Sequence, residues 1–219
     1  MATFALISEG VTDQIILERI IEQICGKMFD DGIDVNPLQP LRDATDAHSA
    51  PYGGWELVLE FCEESATDAL AANDYIVIHL DTDQGDHPNF GLPLTHNGTD
   101  QPYSALVAGA IEIITARLNR TLYRAHSERF LFAISVHSME SWLLLCLFNC
   151  DEPKNSMMRL NRLLRKNNRG VLIKEARGYA VIAREIKRKT LIALNTGNSS
   201  LSSFIAQLIE IRNNGTDEI

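Results

Sequence analysis

The chain of 219 residues lacks several features that would each place a protein in a well-defined class. Its four cysteines form no CxxC pair, so we expect neither a zinc site nor a disulfide framework but the reduced thiols of a cytoplasmic protein. The longest apolar stretches, such as 142–148, fall far short of the roughly 18 residues of a membrane-spanning helix, so no membrane partner is expected. No GxxxxGKS/T motif occurs, so a P-loop ATPase is excluded. The first residues have a strand pattern without a basic segment, and no secretory signal is expected.

Basic residues are scarce over most of the chain, whose formal net charge of −9 would ordinarily repel nucleic acid. The exception is the segment 159–189, where eleven Lys and Arg stand against two Glu. One interpretation is a basic arm that holds a polyanion beside an acidic, metal-binding body. The other is a solvated helical face that balances the acidic body within the molecule. Under the first interpretation, the candidate nucleic-acid contacts are Arg159, Arg162, Arg165, Lys166, Lys187, Arg188 and Lys189.

Alternating strand and helix patterns indicate an α/β fold. Short apolar runs rich in branched residues predict strands, and apolar residues at helical spacing predict the helices between them. The predicted strands cover 3–8, 33–38, 75–80 and 130–136, the predicted helices cover 12–26, 55–71 and 104–124, and loops are predicted at 41–54 and 84–102. This order favours a mainly parallel sheet flanked by helices. We expect a catalytic domain at 1–150 and a basic, helical C-terminal extension at 151–219.

Carboxylates follow two of the predicted strands at the point where each strand ends. Glu9 follows the first apolar run, and Asp81 and Asp83 follow the central run 75–80. Because functional groups of open α/β sheets gather at the carboxyl ends of the strands, we expect these side chains and Asp13 to face one crevice. Carboxylates held this close repel one another unless a divalent cation compensates them, and Mg²⁺ prefers oxygen ligands. The pattern therefore predicts a site for one or two Mg²⁺ or Mn²⁺ ions.

Each of these acids also has a purely structural explanation. Asp81 and Asp83 could simply start a turn, since Asp is common there. Asp13 and Glu140 could each stabilise the positive end of a helix dipole. His79, two residues before Asp81, could be a hydrogen-bond partner of a carboxylate or a satisfied core histidine.

Three neighbouring residues have expected structural roles. Gly10 is expected to let the chain turn sharply after the first strand. Ser138 is expected to cap the helix that follows the strand at 130–136. Trp142, in that helix, is expected to pack in the hydrophobic core.

The two acidic strand ends resemble the Toprim domain, which is found in topoisomerases, primases, maturation ribonucleases and the OLD-type nucleases of phage defence. The motif EGVTD at 9–13 is most similar to the OLD-like branch, in which the acid one helical turn later also serves the metal site. The stretch HSMESW at 137–142 resembles small, stand-alone Toprim-related bacterial proteins, in which a Glu follows the fourth strand. In the order of its elements, the resemblance covers residues 3–148.

The resemblance implies a role for each matching acid. Asp81 and Asp83 would be the principal metal ligands, and Asp13 would serve a second metal ion. Glu9 would be a metal ligand or a general acid and base. Glu140 would be an additional ligand or would orient a water molecule.

One position departs from the OLD-type pattern. Those nucleases place a basic residue soon after the last core strand, where it stabilises the transition state. This chain has His137 at that place and no lysine. His137 could replace the basic residue only in its protonated form.

The sequence therefore predicts a Mg²⁺-dependent endonuclease that hydrolyses DNA or RNA, and the resemblance implies an effector subunit of bacterial anti-phage defence. Regulated relatives depend on a separate ATPase, so an ATPase or regulatory protein partner is expected; the oligomeric state stays open, with a dimer as one option. The DxD could instead serve a phosphohydrolase or glycosyltransferase, although 81–85 lacks the Thr or Val that dehalogenase-type phosphatases carry two residues after the second Asp. A non-catalytic binding subunit that keeps the fold is the third possibility.

Overall fold

The computed structural model of the protein describes residues 1–42 and 54–215. Most of the loop predicted at 41–54 lies outside the described residues. The described chain forms four parallel strands, two short antiparallel strands and ten α-helices. None of these helices has both the length and the apolar character required to cross a membrane.

The central sheet confirms the predicted mixed α/β architecture. Its strands are β1 (Ala2–Ile7), β2 (Ile33–Gln39), β3 (Tyr75–Asp81) and β6 (Phe130–Ser135), while β4 (Thr95–His96) and β5 (Thr99–Asp100) form a separate hairpin. The order across the sheet is β2-β1-β3-β6, and each neighbouring pair is parallel. β2 contains Pro37, which is tolerated because this strand lies at the edge of the sheet.

Two of the predicted helices are each divided in two. The helices are α1 (Val11–Cys25), α2 (Trp55–Glu64), α3 (Ala66–Ala72), α4 (Tyr103–Arg117), α5 (Arg120–Ala125), α6 (Met139–Phe148), α7 (Ser156–Lys166), α8 (Ala176–Ala183), α9 (Arg188–Leu194) and α10 (Ser200–Gly215). The helix predicted at 55–71 is interrupted at Ser65, and the one predicted at 104–124 is interrupted before Arg120. Asn119 starts α5, because its side-chain oxygen accepts hydrogen bonds from the N–H groups of Thr121 and Leu122, both at 3.0 Å.

Alternate side chains of the sheet point into two hydrophobic cores, one on each face. On one face, Phe4 and Val77 pack with α1 and with α6 to α10. Trp142 of α6 is 1% exposed in this core, which confirms its predicted packing role. On the other face, Ile76 and Ile78 pack with α2, α3 and α4. Since both faces are covered, polar side chains gather at the strand ends.

The C-terminal helices belong to the first of these cores. Each contributes a fully buried side chain: Leu160 of α7, Tyr179 of α8, Leu191 of α9 and Phe204 of α10. α10 also covers the edge strand β6, because the Gln207 amide bonds both the N–H of Phe132 at 2.8 Å and its carbonyl at 3.0 Å. Within the described residues 151–215 the chain forms α7 to α10, of which α8, α9 and α10 pack against α1 and α10 also packs against β6.

Candidate active site

β1 and β3 lie side by side where the path of the chain across the sheet reverses. From β1 the chain continues to β2 on one side, whereas β3 and β6 lie on the other side. In open α/β sheets, the crevice outside the carboxyl ends of two such strands is the usual ligand site. Glu9 lies two residues beyond the end of β1, and Asp81 is the last residue of β3. The topology therefore brings both predicted acids to this crevice.

Glu9 and Asp81 are joined by a hydrogen bond, and Asp13 lies near both. Glu9 Oε1 accepts from the N–H of Asp81 at 2.6 Å. Asp13, in the first turn of α1, is 4% exposed and close enough to Asp81 for their charges to interact. Gly10 has extended backbone (φ −151°) and directly precedes α1, so the change of direction after β1 does not require the conformational freedom of a glycine. Its role is to leave space, since a Cβ there would lie 3.2 Å from Asp13 Oδ2.

The turn that carries Asp83 is fixed against the end of β6. The N–H of Thr82 donates to the Ser135 carbonyl, and the N–H of Asp83 donates to the His137 carbonyl, both at 3.0 Å. In the opposite direction, the N–H of His137 donates to Thr82 Oγ1 at 2.8 Å. Thr82 is fully buried and Asp83 is exposed. The residue between the two aspartates therefore anchors the turn, while Asp83 reaches the mouth of the crevice.

Asp81 and His79 leave polar atoms unpaired inside the protein. His79 Nε2 lies 3.0 Å from Ser135 Oγ and 3.3 Å from Asp81 Oδ1. Within the described residues, Asp81 Oδ1 and His79 Nδ1 are buried and make no hydrogen bond, since the 3.3 Å approach of His79 Nε2 to Asp81 Oδ1 lacks hydrogen-bond geometry. Burial lowers the pKa of His79, so its ring is neutral near pH 7 and does not balance the charge of Asp81. A buried carboxylate oxygen without a partner is an atom that a bound cation would satisfy.

Burial and mutual repulsion make the acids of the crevice hard to ionise. Burial, together with the charge of Asp81, raises the pKa of Glu9 to about 8. Burial raises the pKa of Asp13 to about 7 and holds the pKa of Asp81 well above its usual value. Loss of water around the Asp83 carboxyl raises its pKa as well. Strongly perturbed acids that share one crevice are typical of functional sites.

Glu140, in the first turn of α6, is 3% exposed and accepts hydrogen bonds from two side chains. Its Oε1 accepts a hydrogen bond from the hydroxyl of Tyr179, and its Oε2 accepts one from Ser138 Oγ at 2.5 Å. Ser138 Oγ lies in turn 2.8 Å from Ser156 Oγ. Ser138 occupies the N-cap position, but its hydroxyl bonds Glu140 and no backbone N–H of the helix, so the predicted cap was wrong.

Lys174, in the loop between α7 and α8, brings a positive charge to the crevice. Burial lowers its pKa, but the charges of four acids outweigh this effect and raise it, so the ammonium group stays charged. These acids are Glu140, Asp13, Asp81 and Asp83. The residue is exposed, and in the described part of the chain it forms no direct ion pair. Its ammonium group therefore remains available to an anionic ligand.

His137 has the left-handed backbone conformation (φ 63°) that directs its carbonyl towards the turn at Asp83. Burial and the charge of Lys154 lower the pKa of its ring. The protonated form that His137 would need in order to replace the missing basic residue is thus disfavoured. Lys174 places a charged ammonium group near the acids of the crevice.

The basic residues predicted to bind nucleic acid differ in their surroundings. Arg159 pairs with Glu152 at 2.9 Å. Arg188 donates to the carbonyl of Gln23 at 2.8 Å and to that of Ile24, and so caps α1, whose last turn has no basic residue. The exposed members of the set, Arg162, Arg165, Lys166, Lys187 and Lys189, remain the better candidates for nucleic-acid contact.

The crevice contains the type of ligand atom that a hard divalent cation prefers, but its side chains are not arranged around a metal position. Among the residues that the structure describes, no three His, Cys, Asp or Glu side chains are placed to hold a metal ion as they stand. The donors are nevertheless carboxylate oxygens, which Mg²⁺ prefers, and one of them, Asp81 Oδ1, is buried without a partner. Asp81, Asp83, Glu9 and Asp13 carry the carboxylate oxygens from which such a site would have to form.

The sequence pattern does not reveal the contributions of the C-terminal helices to this site. Tyr179 reaches Glu140 across 39 residues, a separation at which no local spacing predicts contact. Lys174 is one of eleven basic residues in 159–189, and nothing in a single sequence distinguishes it from the other ten.

The chain matches no protein-family model, no curated protein and no solved structure. The likeness to Toprim nucleases therefore rests on the motifs at 9–13, 81–83 and 137–142.

Proposed function

We propose that the protein is a metal-dependent nuclease that hydrolyses phosphodiester bonds of nucleic acid at this crevice. The observation that carries the proposal is the convergence of five acids and one lysine at the carboxyl ends of β1, β3 and β6. They are Glu9, Asp13, Asp81, Asp83, Glu140 and Lys174. Phosphodiester hydrolysis requires an activated water, neutralisation of charge on the phosphate and stabilisation of the leaving oxygen, which such a set can provide.

Four of these acids would hold the divalent cation, with Asp81 and Asp83 as its main ligands and Glu9 and Asp13 completing the set. The unpaired Oδ1 of Asp81 supports this assignment. The raised pKa values of the four acids support the assignment too. They show that the ionised carboxylates are unfavourable in the metal-free protein, and a nearby cation would stabilise those ionised forms. A bound cation supplies charge neutralisation and Lewis acidity towards a phosphodiester oxygen.

Glu9 is suited to proton transfer. In the metal-free protein its pKa of about 8 means that it can carry a proton near neutral pH, and a bound cation would lower this value. Its Oε1 is engaged with the N–H of Asp81 at 2.6 Å, which leaves Oε2 to exchange a proton with a water molecule or a leaving oxygen.

Lys174 would stabilise the negative charge that develops on the phosphate group. Its ammonium group is charged, exposed and without a direct ion pair in the described chain, so a phosphate can approach it. The charge of Glu140 raises the pKa of Lys174 and so stabilises its protonated form. Hydrogen bonds from Tyr179 and Ser138 hold the Glu140 carboxylate in place.

Nucleic acid would be attracted by exposed basic residues of α7, the helix that precedes the Lys174 loop: Arg162, Arg165 and Lys166. The proposal includes a role as an effector of anti-phage defence with a separate ATPase or regulatory partner, which is supported only by the likeness to OLD-type nucleases. If the nuclease requires this partner, cleavage would be seen only when the two proteins are bound to each other.

The test is cleavage of plasmid DNA, single-stranded DNA and total tRNA by the purified protein in Mg²⁺, Mn²⁺ or EDTA. We expect cleavage that requires the metal and falls by roughly a thousandfold in the Asp81→Asn/Asp83→Asn variant. Asp31→Asn is the matched control, because that side chain is 87% exposed and lies outside the crevice.

Cleavage that survives EDTA, or that persists in the double variant, would overturn the assignment of the site. Hydrolysis of p-nitrophenyl phosphate without cutting of any nucleic acid would favour the phosphohydrolase alternative. Unchanged behaviour of Asp31→Asn would show that loss of a carboxylate alone is not the cause of the effect.

A further inference from the structure

A cavity of about 500 Å³ lies beside the crevice, at the β6 side. Its walls come from the loop after β3, the β4–β5 hairpin, the start of α4, the turn after β6 and the residues after α6. The volume falls within the range of roughly 300–1,000 Å³ that is usual for small-ligand sites.

The cavity and the crevice share a wall. His137 lines the cavity, and its carbonyl accepts the hydrogen bond from the N–H of Asp83 at 3.0 Å. A group held in the cavity would therefore lie next to a phosphate held at Asp83. In a nucleic-acid strand, the group one sugar away from a phosphate is a base.

The lining is apolar at its floor and acidic at its rim. Leu106 and Val136 are buried, and half-buried Tyr103 adds an aromatic ring. Four carboxylates, those of Asp86, Asp100, Asp151 and Glu152, stand against the single ammonium group of Lys154. This surface repels phosphate but suits a flat, neutral ring whose edge donates hydrogen bonds.

Asp151 is the rim carboxylate that is not otherwise engaged. Asp86 Oδ1 accepts from the N–H of Leu94 at 2.9 Å. Asp100 pairs with Lys154 at 2.6 Å, and Glu152 pairs with Arg159 at 2.9 Å. In the described part of the chain, no hydrogen bond or ion pair engages the Asp151 side chain. Asp151 and Tyr103 are neighbours, since the charge of Asp151 adds to burial in raising the pKa of Tyr103.

From these contacts we infer that the cavity binds an unpaired nucleobase of the substrate strand, which packs against Tyr103 and donates an amino N–H to Asp151. The inference rests on the proposed nuclease function and narrows its substrate to nucleic acid that is single-stranded or locally opened. In a duplex, the edge of the base that carries these donors is already paired, so it cannot enter. A carboxylate accepts from the amino group of cytosine, whereas thymine and uracil present a carbonyl oxygen at the same position.

The test compares the binding of homopolymers in the cleavage-inactive Asp81→Asn/Asp83→Asn background by fluorescence anisotropy in EDTA. The probes are labelled single strands of dC and dT, the RNA strands rC and rU, and a dA·dT duplex. We expect dC and rC to bind roughly tenfold more tightly than dT and rU. Adding Asp151→Asn should reduce the preference to less than about twofold, and Tyr103→Leu should weaken both single strands roughly tenfold.

Glu128→Gln is the matched control, because Glu128 lines a cavity at the amino end of the sheet. Equal affinity for dC and dT, an unchanged preference in Asp151→Asn, or duplex binding as tight as single-strand binding would each overturn the inference. The binding readout is independent of cleavage. A cytosine preference lost in Asp151→Asn would support the cavity even if the wild-type protein cut nothing, and cleavage without any preference would leave only the nuclease proposal.

Discussion

The polar groups at the two ends of the sheet differ in how completely they are hydrogen-bonded. At the amino end, Asp74 accepts hydrogen bonds from the N–H and hydroxyl of Thr3, both at 2.8 Å. Arg129 donates to the carbonyls of Leu70, Asn73 and Asp74 at distances from 2.6 to 2.9 Å. At the carboxyl end, several acids share one crevice with a neutral histidine, and within the described chain Asp81 Oδ1 and His79 Nδ1 are buried without a hydrogen bond. Pairing of this kind at one end stabilises the fold, while unrelieved repulsion at the other end lowers stability and creates affinity for a cation.

The largest effect that would sharpen this contrast is expected for Lys174→Met. Loss of the cation from the carboxyl end should reduce metal-dependent cleavage by roughly a hundredfold to a thousandfold. Lys174→Arg should keep part of the activity, since it keeps the positive charge but replaces a compact ammonium group with a planar guanidinium group. The control is Lys27→Met, because Lys27 is an exposed lysine in the turn between α1 and β2. Initial cleavage rates at saturating Mg²⁺ measure the effect, and equal losses in the Lys174 and Lys27 variants would contradict a specific role.

Stability should respond with opposite sign at the two ends. Arg129→Met removes three hydrogen bonds from a charged donor to backbone carbonyls, and we expect it to lower the free energy of unfolding by about 3 kcal/mol with little change in cleavage. Asp81→Asn removes a buried, repelled carboxyl group and should raise the stability of the metal-free protein by about 1 kcal/mol. Urea unfolding in EDTA measures both values. Destabilisation by Asp81→Asn would contradict the account of the carboxyl end.

The stability of the metal-free protein should fall as the pH rises from about 6.5 to 8.5. Folding raises the pKa of Glu9 from 4.5 to about 8 and that of Asp13 from 3.8 to about 7, so the unfolded chain loses these protons more readily than the folded chain. The unfolded state is therefore favoured as the pH rises through these values. His79 contributes little in this window, because its lowered pKa keeps it neutral in the folded state and its usual value is 6.5.

The pH profile is measured as the melting temperature in EDTA. In Glu9→Gln/Asp13→Asn, which has no titrating carboxyl at these positions, the melting temperature should change much less over the same range. Saturating Mg²⁺ should flatten the profile of the wild-type protein as well, because cation binding stabilises the ionised acids. A wild-type profile as flat as that of the variant would show that these acids ionise normally.

The smallest expected effect concerns the hydroxyl of Tyr179. Tyr179→Phe keeps the buried ring but removes one of the two hydroxyl donors to Glu140. Cleavage should fall roughly tenfold, and the free energy of unfolding should fall by about 1 to 3 kcal/mol because a buried acceptor loses its donor. Tyr123→Phe is the control, since Tyr123 packs its ring against Phe130 and Phe132. An unchanged cleavage rate in Tyr179→Phe would show that Glu140 needs no support from α8.

Much of the carboxyl end could be predicted from the sequence because strands and their ends leave local signals. The apolar runs before Glu9 and Asp81 place both acids at strand ends, and parallel pairing then brings those ends together. The boundaries within helical regions were less predictable. Asn119 starts a new helix through its own side-chain hydrogen bonds, which interrupt a stretch that is otherwise continuous in its apolar spacing.

The rest of the site depends on tertiary packing and could not be predicted. Composition separates the acidic part of the chain from the basic segment 159–189, but packing unites them, since Tyr179 is buried in the same core as α1. Because this core positions α8, Tyr179 reaches Glu140 and the preceding loop brings Lys174 to the acids. No periodicity or motif in one sequence encodes contacts of that range.

The central claim is that the acids at the carboxyl end form a cation site, and calorimetric titration with Mg²⁺ tests it most directly. The titration is run at pH 7.5 in two buffers of different ionisation enthalpy, with the wild-type protein and the Asp81→Asn/Asp83→Asn variant. We predict saturable binding that releases protons, seen as a heat that depends on the buffer, because Glu9 and Asp13 must ionise to meet the cation. The double variant should give only the heat of dilution. Saturable binding of equal strength in both proteins, or no binding in either, would contradict the claim.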